Sequence, residues 1–122
     1  MKQVENIIKF NTYADSSLLN NYMYMKRDTT EYDVYYIFRL DEIIATNPPE
    51  YVVYKCYALH IPKENKKKCI VKDDVYNIQL RTYDTIYILD RDEYINMFRN
   101  FVKYEGLFKE ELPEDIMKNS ES

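Results

Sequence analysis

The chain has 122 residues, of which 46% are hydrophobic and 31% charged. This is the composition of one globular domain, residues 1–122, and not of a disordered segment. The net charge of −4 excludes a general field that attracts nucleic acid or anionic membranes, and no apolar run approaches the roughly 20 residues of a membrane span. With no stretch of signal-peptide character and only two cysteines, we expect a cytoplasmic protein with free thiols.

The first elements combine an ambiguous segment with a predicted helix. Residues 4–10 fit a helix or a strand equally well. Asp15 or Ser16 then supplies a helix N-cap, and an apolar face continues to about Arg27. That face consists of Leu18, Leu19, Tyr22 and Met23.

From Tyr32 the hydrophobic period becomes two, which predicts a strand with one buried face. The side chains predicted to share that face are Tyr32, Val34, Tyr36, Phe38 and Leu40. Residues 51–61 are apolar on both faces and therefore predict a central strand. Shorter strands are predicted at residues 68–72, 76–81 and 85–89, with a turn at Asp73 and Asp74. Because the connections are short, we expect an antiparallel meander of about four or five strands.

The clearest helix signal follows at Asp90, an N-cap residue with Glu93 placed for a capping box. The single glycine, Gly106, falls where this helix should end and can adopt the left-handed conformation of a C′ residue. Pro113 can open a short final helix whose Ile116 and Met117 pack back, and residues 119–122 are expected to fray. The predicted fold class is α+β: a meander with an N-terminal and a C-terminal helix packed on one face.

Tyrosine occurs 14 times and is the most informative compositional bias. A fully buried set of phenols would need a hydrogen-bond partner for every hydroxyl, so we expect some tyrosines to be exposed. Tyrosine rings suit protein recognition and can also stack on unpaired bases; the alternative is that they fill the core. The predicted protein-interaction surface comprises Tyr35, Tyr51, Tyr57, Tyr83 and Tyr87.

Two charged segments are further candidates. A phosphate or nucleic-acid contact is predicted in the hairpin loop, although a solvated loop tip is the favoured interpretation. Its residues are Lys63, Lys66, Lys67 and Lys68. An acidic docking face for a basic partner is predicted near the end of the chain, again with a solvated segment as the favoured alternative. Its residues are Glu110, Glu111, Glu114 and Asp115.

No motif for catalysis, metal or cofactor binding is found. Cys56 and His60 are four residues apart on a predicted strand, about 13 Å, so they cannot share a zinc ion with Cys69. No nucleophile is placed beside His60 for a triad. One glycine in the whole chain excludes a glycine-rich phosphate loop.

We therefore expect a non-catalytic binding protein without a cofactor, whose partner is a host or cognate protein. The residues with A/T-rich codons, Ile, Lys, Asn and Tyr, make up 48 of 122 residues. This bias predicts an AT-rich genome, and a short, glycine-poor, tyrosine-rich chain without enzyme motifs is typical of a virus, phage or mobile element. The missing enzyme motifs, the tyrosine excess and the charge asymmetry together favour an accessory factor of anti-defence type. Such a factor would inhibit or modulate a host protein in the host cytoplasm. The alternatives are a nucleic-acid-binding module and a small toxin-like ribonuclease using Asp73 or His60. A homodimer through a sheet edge or face stays open.

Overall fold

The computed structural model describes residues 1–4, 18–44, 50–73, 76–78 and 84–116, with the backbone alone at 76–78. This part of the chain forms one antiparallel sheet and one α-helix, so the fold is broadly α+β, as predicted. In chain order the elements are β1 (Lys2–Gln3), β2 (Tyr22–Asp28), β3 (Tyr32–Ile44), β4 (Glu50–Pro62), β5 (Ile70–Asp73), β6 (Tyr76–Ile78), β7 (Ile86–Leu89), helix α1 (Arg91–Tyr104) and a 3-10 turn (Lys109–Glu111).

The strand order is β1-β7-β2-β3-β4-β5, with β6 also paired to β4. The predicted meander is correct from β3 to β5, but β7 returns to pair with β2, on the side away from β3. Because β5 and β6 are both antiparallel to β4, they run in the same direction. The predicted chain reversal between them is therefore wrong. The physical reason is that β4 has 13 residues, enough to pair with two short strands in succession.

The predicted N-terminal helix is wrong over Tyr22–Asp28, which form β2. Met23 and Met25 are fully buried and alternate with half-buried Tyr22 and Tyr24, which is the period of a strand. Hydrogen bonding to β3 on one side and to β7 on the other stabilises this conformation. Asp15 and Ser16, and most of the ambiguous segment 4–10, lie outside the described residues.

Both faces of the sheet are buried. The helix-side core contains residues of α1 and of the strands below it: Ile37, Leu59, Ile61, Cys69, Leu89, Tyr94, Met97, Phe101, Tyr104 and Ile116. The far-side core occupies the opposite face: Met23, Met25, Phe38, Leu40, Tyr51, Val53, Cys56 and Ile86. In β3, Val34, Phe38 and Leu40 are buried as predicted, but Ile37 on the other face is also 0% exposed. The prediction of one buried face was therefore wrong, while residues 51–61 do form a central strand.

Helix α1 begins and ends as predicted. The Asp90 carboxylate accepts a hydrogen bond from the Glu93 backbone N–H at 2.8 Å, and the Asp90 N–H donates to the Glu93 side chain at 3.1 Å. After Tyr104 the chain turns at Gly106, whose φ is +81°. The Gly106 N–H then donates to the carbonyl of Cys69 at 2.9 Å, which fixes the end of the helix to the sheet.

The segment after Gly106 differs from the prediction in part. Its regular structure is the 3-10 turn at Lys109–Glu111, and no helix opens at Pro113 within the described residues 113–116. Ile116 is buried in the helix-side core, as predicted, whereas Met117 lies outside the described residues. The segment from residue 107 to 116 therefore packs on the same sheet face as α1.

Candidate functional site

The predicted tyrosine surface is divided between the two faces of the sheet. Tyr51 is 0% exposed and belongs to the far-side core, so its assignment to an interaction surface is wrong. The reason is its position in β4, between β3 and β6, where both faces of the strand are covered. Tyr83 lies outside the described residues.

Tyr35, Tyr57 and Tyr87 lie on the face that carries α1 and are half-buried. Tyr57 packs against Phe98 of the helix, with ring centroids 4.5 Å apart. Tyr24 stacks on both Tyr35 and Tyr87, at 6.4 and 5.7 Å. Burial and these neighbouring phenols raise the pKa of the Tyr24 hydroxyl. Much of this tyrosine surface therefore supports the packing of the protein's own helix and C-terminal segment.

All four lysines of the predicted phosphate contact are exposed, but two of them have partners within the chain. Lys63 forms an ion pair with Asp28, which holds the pKa of that carboxyl below its usual value. The Lys68 ammonium lies over the ring of Phe108, 5.4 Å from its centroid. Lys66 and Lys67 are exposed and form no ion pair with the part of the chain that the structure describes.

The residues of the predicted acidic face, Glu110, Glu111, Glu114 and Asp115, are also exposed. Glu111 has a structural role, because its carboxylate accepts a hydrogen bond from the Phe108 N–H at 2.7 Å. Backbone contacts of Cys69 with Gly106 and Leu107, at 2.9 and 2.8 Å, and the pairing of Lys68 with Phe108 place the start of this acidic segment beside the end of the lysine loop. The two predicted charged surfaces therefore adjoin at this point, and there each weakens the field of the other.

A further feature was missed by the sequence analysis: a row of side chains that crosses the sheet beside the start of α1. Tyr22 of β2, Arg39 of β3 and Tyr54 of β4 are directly paired residues, so they share a face. The Arg39 guanidinium stacks on the Tyr54 ring, 4.8 Å from its centroid. Tyr54 is 43% exposed and is among the exposed large hydrophobic residues. No sequence pattern indicated this pair, because it depends on the register of β3 against β4.

The backbone at this pair is irregular. The β3–β4 register shifts between Ile37 and Arg39 and again between Leu40 and Glu42. Lys55, next to Tyr54, has a φ of +50°, an unusual conformation for a residue that is not glycine. The Tyr94 hydroxyl of α1 donates to the Lys55 carbonyl at 2.5 Å, which holds this bulge against the helix. Burial raises the pKa of that hydroxyl, so it remains a donor.

The residues considered for metal and acid–base chemistry do not converge. Cys56 belongs to the far-side core and Cys69 to the helix-side core, and burial raises the pKa of the Cys69 thiol. His60 and Asp73 pair with Ile70 and Tyr57, respectively, so they lie on opposite faces of the sheet. Within the described ranges, no group of three or more His, Cys, Asp or Glu residues is placed to hold a metal ion.

Comparisons with known proteins add no assignment. No protein-family model matches the chain, and no curated protein and no solved structure is significantly similar to it. In the part of the chain that the structure describes, no helix is both long enough and apolar enough to span a membrane.

Proposed function

We propose that the protein is a non-catalytic protein-binding module. The observation that carries this proposal is the Arg39–Tyr54 pair, in which Tyr54 is exposed and Arg39 is half-buried. Tyrosine and arginine are the residue types enriched at the energetic centres of protein interfaces. Here the Tyr54 ring remains 43% exposed although it stacks on a guanidinium. A ring of this exposure offers apolar contact area, and a stacked guanidinium loses little side-chain entropy when a partner binds.

The same proposal includes the origin and role of the module: an accessory factor of a virus, phage or mobile element that binds and inhibits or modulates a host protein. Support for the origin is compositional, since Ile, Lys, Asn and Tyr account for 48 of 122 residues. The proposal that the protein acts by binding another protein is supported by the variety of chemical groups on its surface. An aromatic–cation pair, a lysine loop and an acidic segment lie on one small domain.

Exposed Lys66 and Lys67 favour a second candidate, nucleic-acid binding. Against it stands the acidic segment beside the loop, because its carboxylates repel phosphates over the same distances at which the lysines attract them. A nucleic-acid-binding domain ordinarily has a wide basic face. We therefore rank protein binding first.

The test is affinity capture from a lysate of a candidate host, treated with nuclease and followed by mass analysis of the retained proteins. We expect one protein in amounts comparable to the bait, retained by wild type and by the lysine variant Lys66→Gln/Lys67→Gln. The matched variant Arg39→Gln/Tyr54→Ala should lose it. Material that is removed by nuclease, or whose retention collapses as salt is raised, would instead support nucleic-acid binding.

A further inference from the structure

The guanidinium of Arg39 has an incompletely used hydrogen-bonding edge. Its Nη2 atom lies 3.4 Å from a carboxylate oxygen of Asp41, a long contact for a charged pair. Its Nε atom is buried and has no hydrogen-bond acceptor within the described part of the chain. An unsatisfied buried donor is unfavourable, so this edge of Arg39 has a donor to offer to a better-placed acceptor.

In Arg27 of the same protein, the corresponding Nε and Nη2 atoms are both hydrogen-bonded to a carboxylate. Its Nε and Nη2 atoms contact the two carboxylate oxygens of Asp84 at 3.3 and 2.8 Å. This two-point arrangement matches the planar fork of a guanidinium to a carboxylate. In Arg39 the corresponding Nε is buried without an acceptor in the described part of the chain, and Nη2 has only the long contact with Asp41. Asp41 is itself 43% exposed on its side chain, so water competes for it.

We propose that Arg39, Tyr54 and Lys55 form the docking site for an exposed Asp or Glu side chain of a protein partner. The partner carboxylate displaces Asp41 from Nη2 of Arg39 and then reaches the adjacent Nε, which is buried while Asp41 is in place. An apolar group beside it covers the Tyr54 ring. This inference rests on the proposed protein-binding function and adds the chemistry of the partner. It assigns the occupant as a carboxylate on a protein and not a phosphate.

Two observations favour a carboxylate. The guanidinium already faces one in Asp41, so the geometry is of the right kind. The second observation is the local charge: Lys55 follows Tyr54, while Asp41 and Glu42 are both exposed on β3. A phosphodiester backbone carries a row of negative charges and requires a wide basic face, whereas a single carboxylate requires one guanidinium.

The bulge at Lys55 gives independent support. A positive φ at a residue that is not glycine is unfavourable and is retained where the surrounding structure enforces it, often at functional sites. Bulges also redirect side chains at the places where they occur. In β4 the bulge exposes Tyr54 and Lys55 together, and the 2.5 Å hydrogen bond from Tyr94 enforces it. The site is therefore built on a rigid, helix-supported strand.

The test uses a displayed library of random peptides selected on the wild-type protein, because the natural partner is unidentified. Enriched peptides should contain Asp or Glu, and replacing that residue by Asn or Gln should weaken binding about tenfold or more, as expected for a charge-assisted contact. Arg39→Lys keeps the charge but removes the fork, so it should weaken binding similarly. Tyr54→Phe keeps the ring and should bind within about twofold of wild type. Lys66→Gln, which removes a cation outside the proposed site, should do the same.

Each outcome decides between the proposals. Peptides that bind wild type and Arg39→Lys equally, or that need no carboxylate, would overturn the Arg39 site while leaving protein binding in place. Displacement of the peptides by millimolar inorganic phosphate would show a general anion site and also overturn the inference. A library with no retained peptide would contradict both proposals. Circular dichroism of the variants, which are conservative and close to the surface, separates lost binding from lost folding.

Discussion

Two positions with left-handed backbone illustrate how differently single residues are used in this protein. Gly106 has a φ of +81° and ends α1, whereas Lys55 has a φ of +50° and interrupts β4. Glycine adopts this region without steric cost, while a side chain at Cβ makes it unfavourable. At Gly106 the left-handed conformation only changes the direction of the backbone. At Lys55 the same region is occupied by a residue with a long side chain, which is exposed beside Tyr54.

Replacing Gly106 by alanine should lower the free energy of unfolding by about 1 kcal/mol. A Cβ atom at this position would meet no atom within 4 Å, so the loss reflects backbone strain and not a clash. Urea denaturation of the two proteins measures the difference. Gly106→Asn should lose less, since asparagine tolerates the left-handed region; an alanine variant as stable as wild type would show that the backbone relaxes there.

The single histidine gives the protein a defined pH response. Partial burial, and secondarily the charge of Lys72, lower the pKa of His60 below its ordinary value of 6.5. The unfolded chain therefore binds the proton more readily than the folded one. The His60 contribution is fully present above the unfolded pKa and is lost as the pH falls from about 7 through the lowered folded value.

We accordingly expect the free energy of unfolding to decrease as the pH is lowered from about 7 to about 5.5. His60→Gln should flatten the curve in this window, because no other histidine titrates there. Denaturation at a series of pH values measures the slope, and proton NMR of the imidazole measures the pKa directly. An unchanged slope in the variant would assign the response to other groups.

At the scale of secondary-structure elements, the position of β7 depends on an ion pair as well as on its backbone hydrogen bonds. Arg27 at the end of β2 contacts Asp84, just before β7, through two atoms of its guanidinium. The Asp84 side chain is 2% exposed, so it is removed from water almost completely. A buried charge of this kind requires its partner.

Asp84→Ala should therefore destabilise the protein by about 3–5 kcal/mol, because it leaves the Arg27 charge partly buried beside β2. Arg27→Met alone should cost a similar amount. The double variant Arg27→Met/Asp84→Ala should recover much of the loss, since neither charge is then left buried alone. Thermal or urea unfolding of the four proteins gives the coupling energy; strictly additive losses would contradict a direct pair.

These elements also show what sequence could and could not predict. Asp90 and Gly106 act through neighbours in sequence, so the limits of α1 were predicted correctly. In β2, the spacing of Leu18, Leu19, Tyr22 and Met23 fits a helix face, and only pairing with β3 and β7 selects the strand. The Arg39–Tyr54 pair likewise depends on register and on two bulges, which hydrophobic periodicity does not encode.

At the scale of the whole molecule, charges of opposite sign lie side by side. The lysine loop and the acidic segment are joined by the backbone pairing of Cys69 with Gly106 and Leu107. At physiological ionic strength, screening acts over about 8 Å. The electrostatic potentials of neighbouring opposite charges therefore cancel at larger distances. The surface of the protein thus carries small regions of opposite charge instead of one extended charged patch.

If this cancellation is effective, neutralising one acid beside the loop should increase the weak affinity for DNA at low salt. We expect Glu110→Gln to bind a fluorescent duplex several-fold more tightly than wild type in anisotropy measurements. Glu42→Gln is the matched control, because it removes the same charge at the far end of β3, roughly 30 Å away. Equal gains in both variants would indicate an effect of net charge alone.

The return of β7 to β2 has a consequence for how the chain acquires its structure. The Met23–Ile88 pairing joins positions 65 residues apart in the sequence, and β1 pairs with β7 at a still greater separation. Contacts of this kind are slow to form, because the intervening chain must lose its freedom first. During synthesis, β2 and β3 emerge long before β7. One edge of β2 therefore stays open until β7 has been synthesised, an interval in which a folding assistant has the greatest effect on yield.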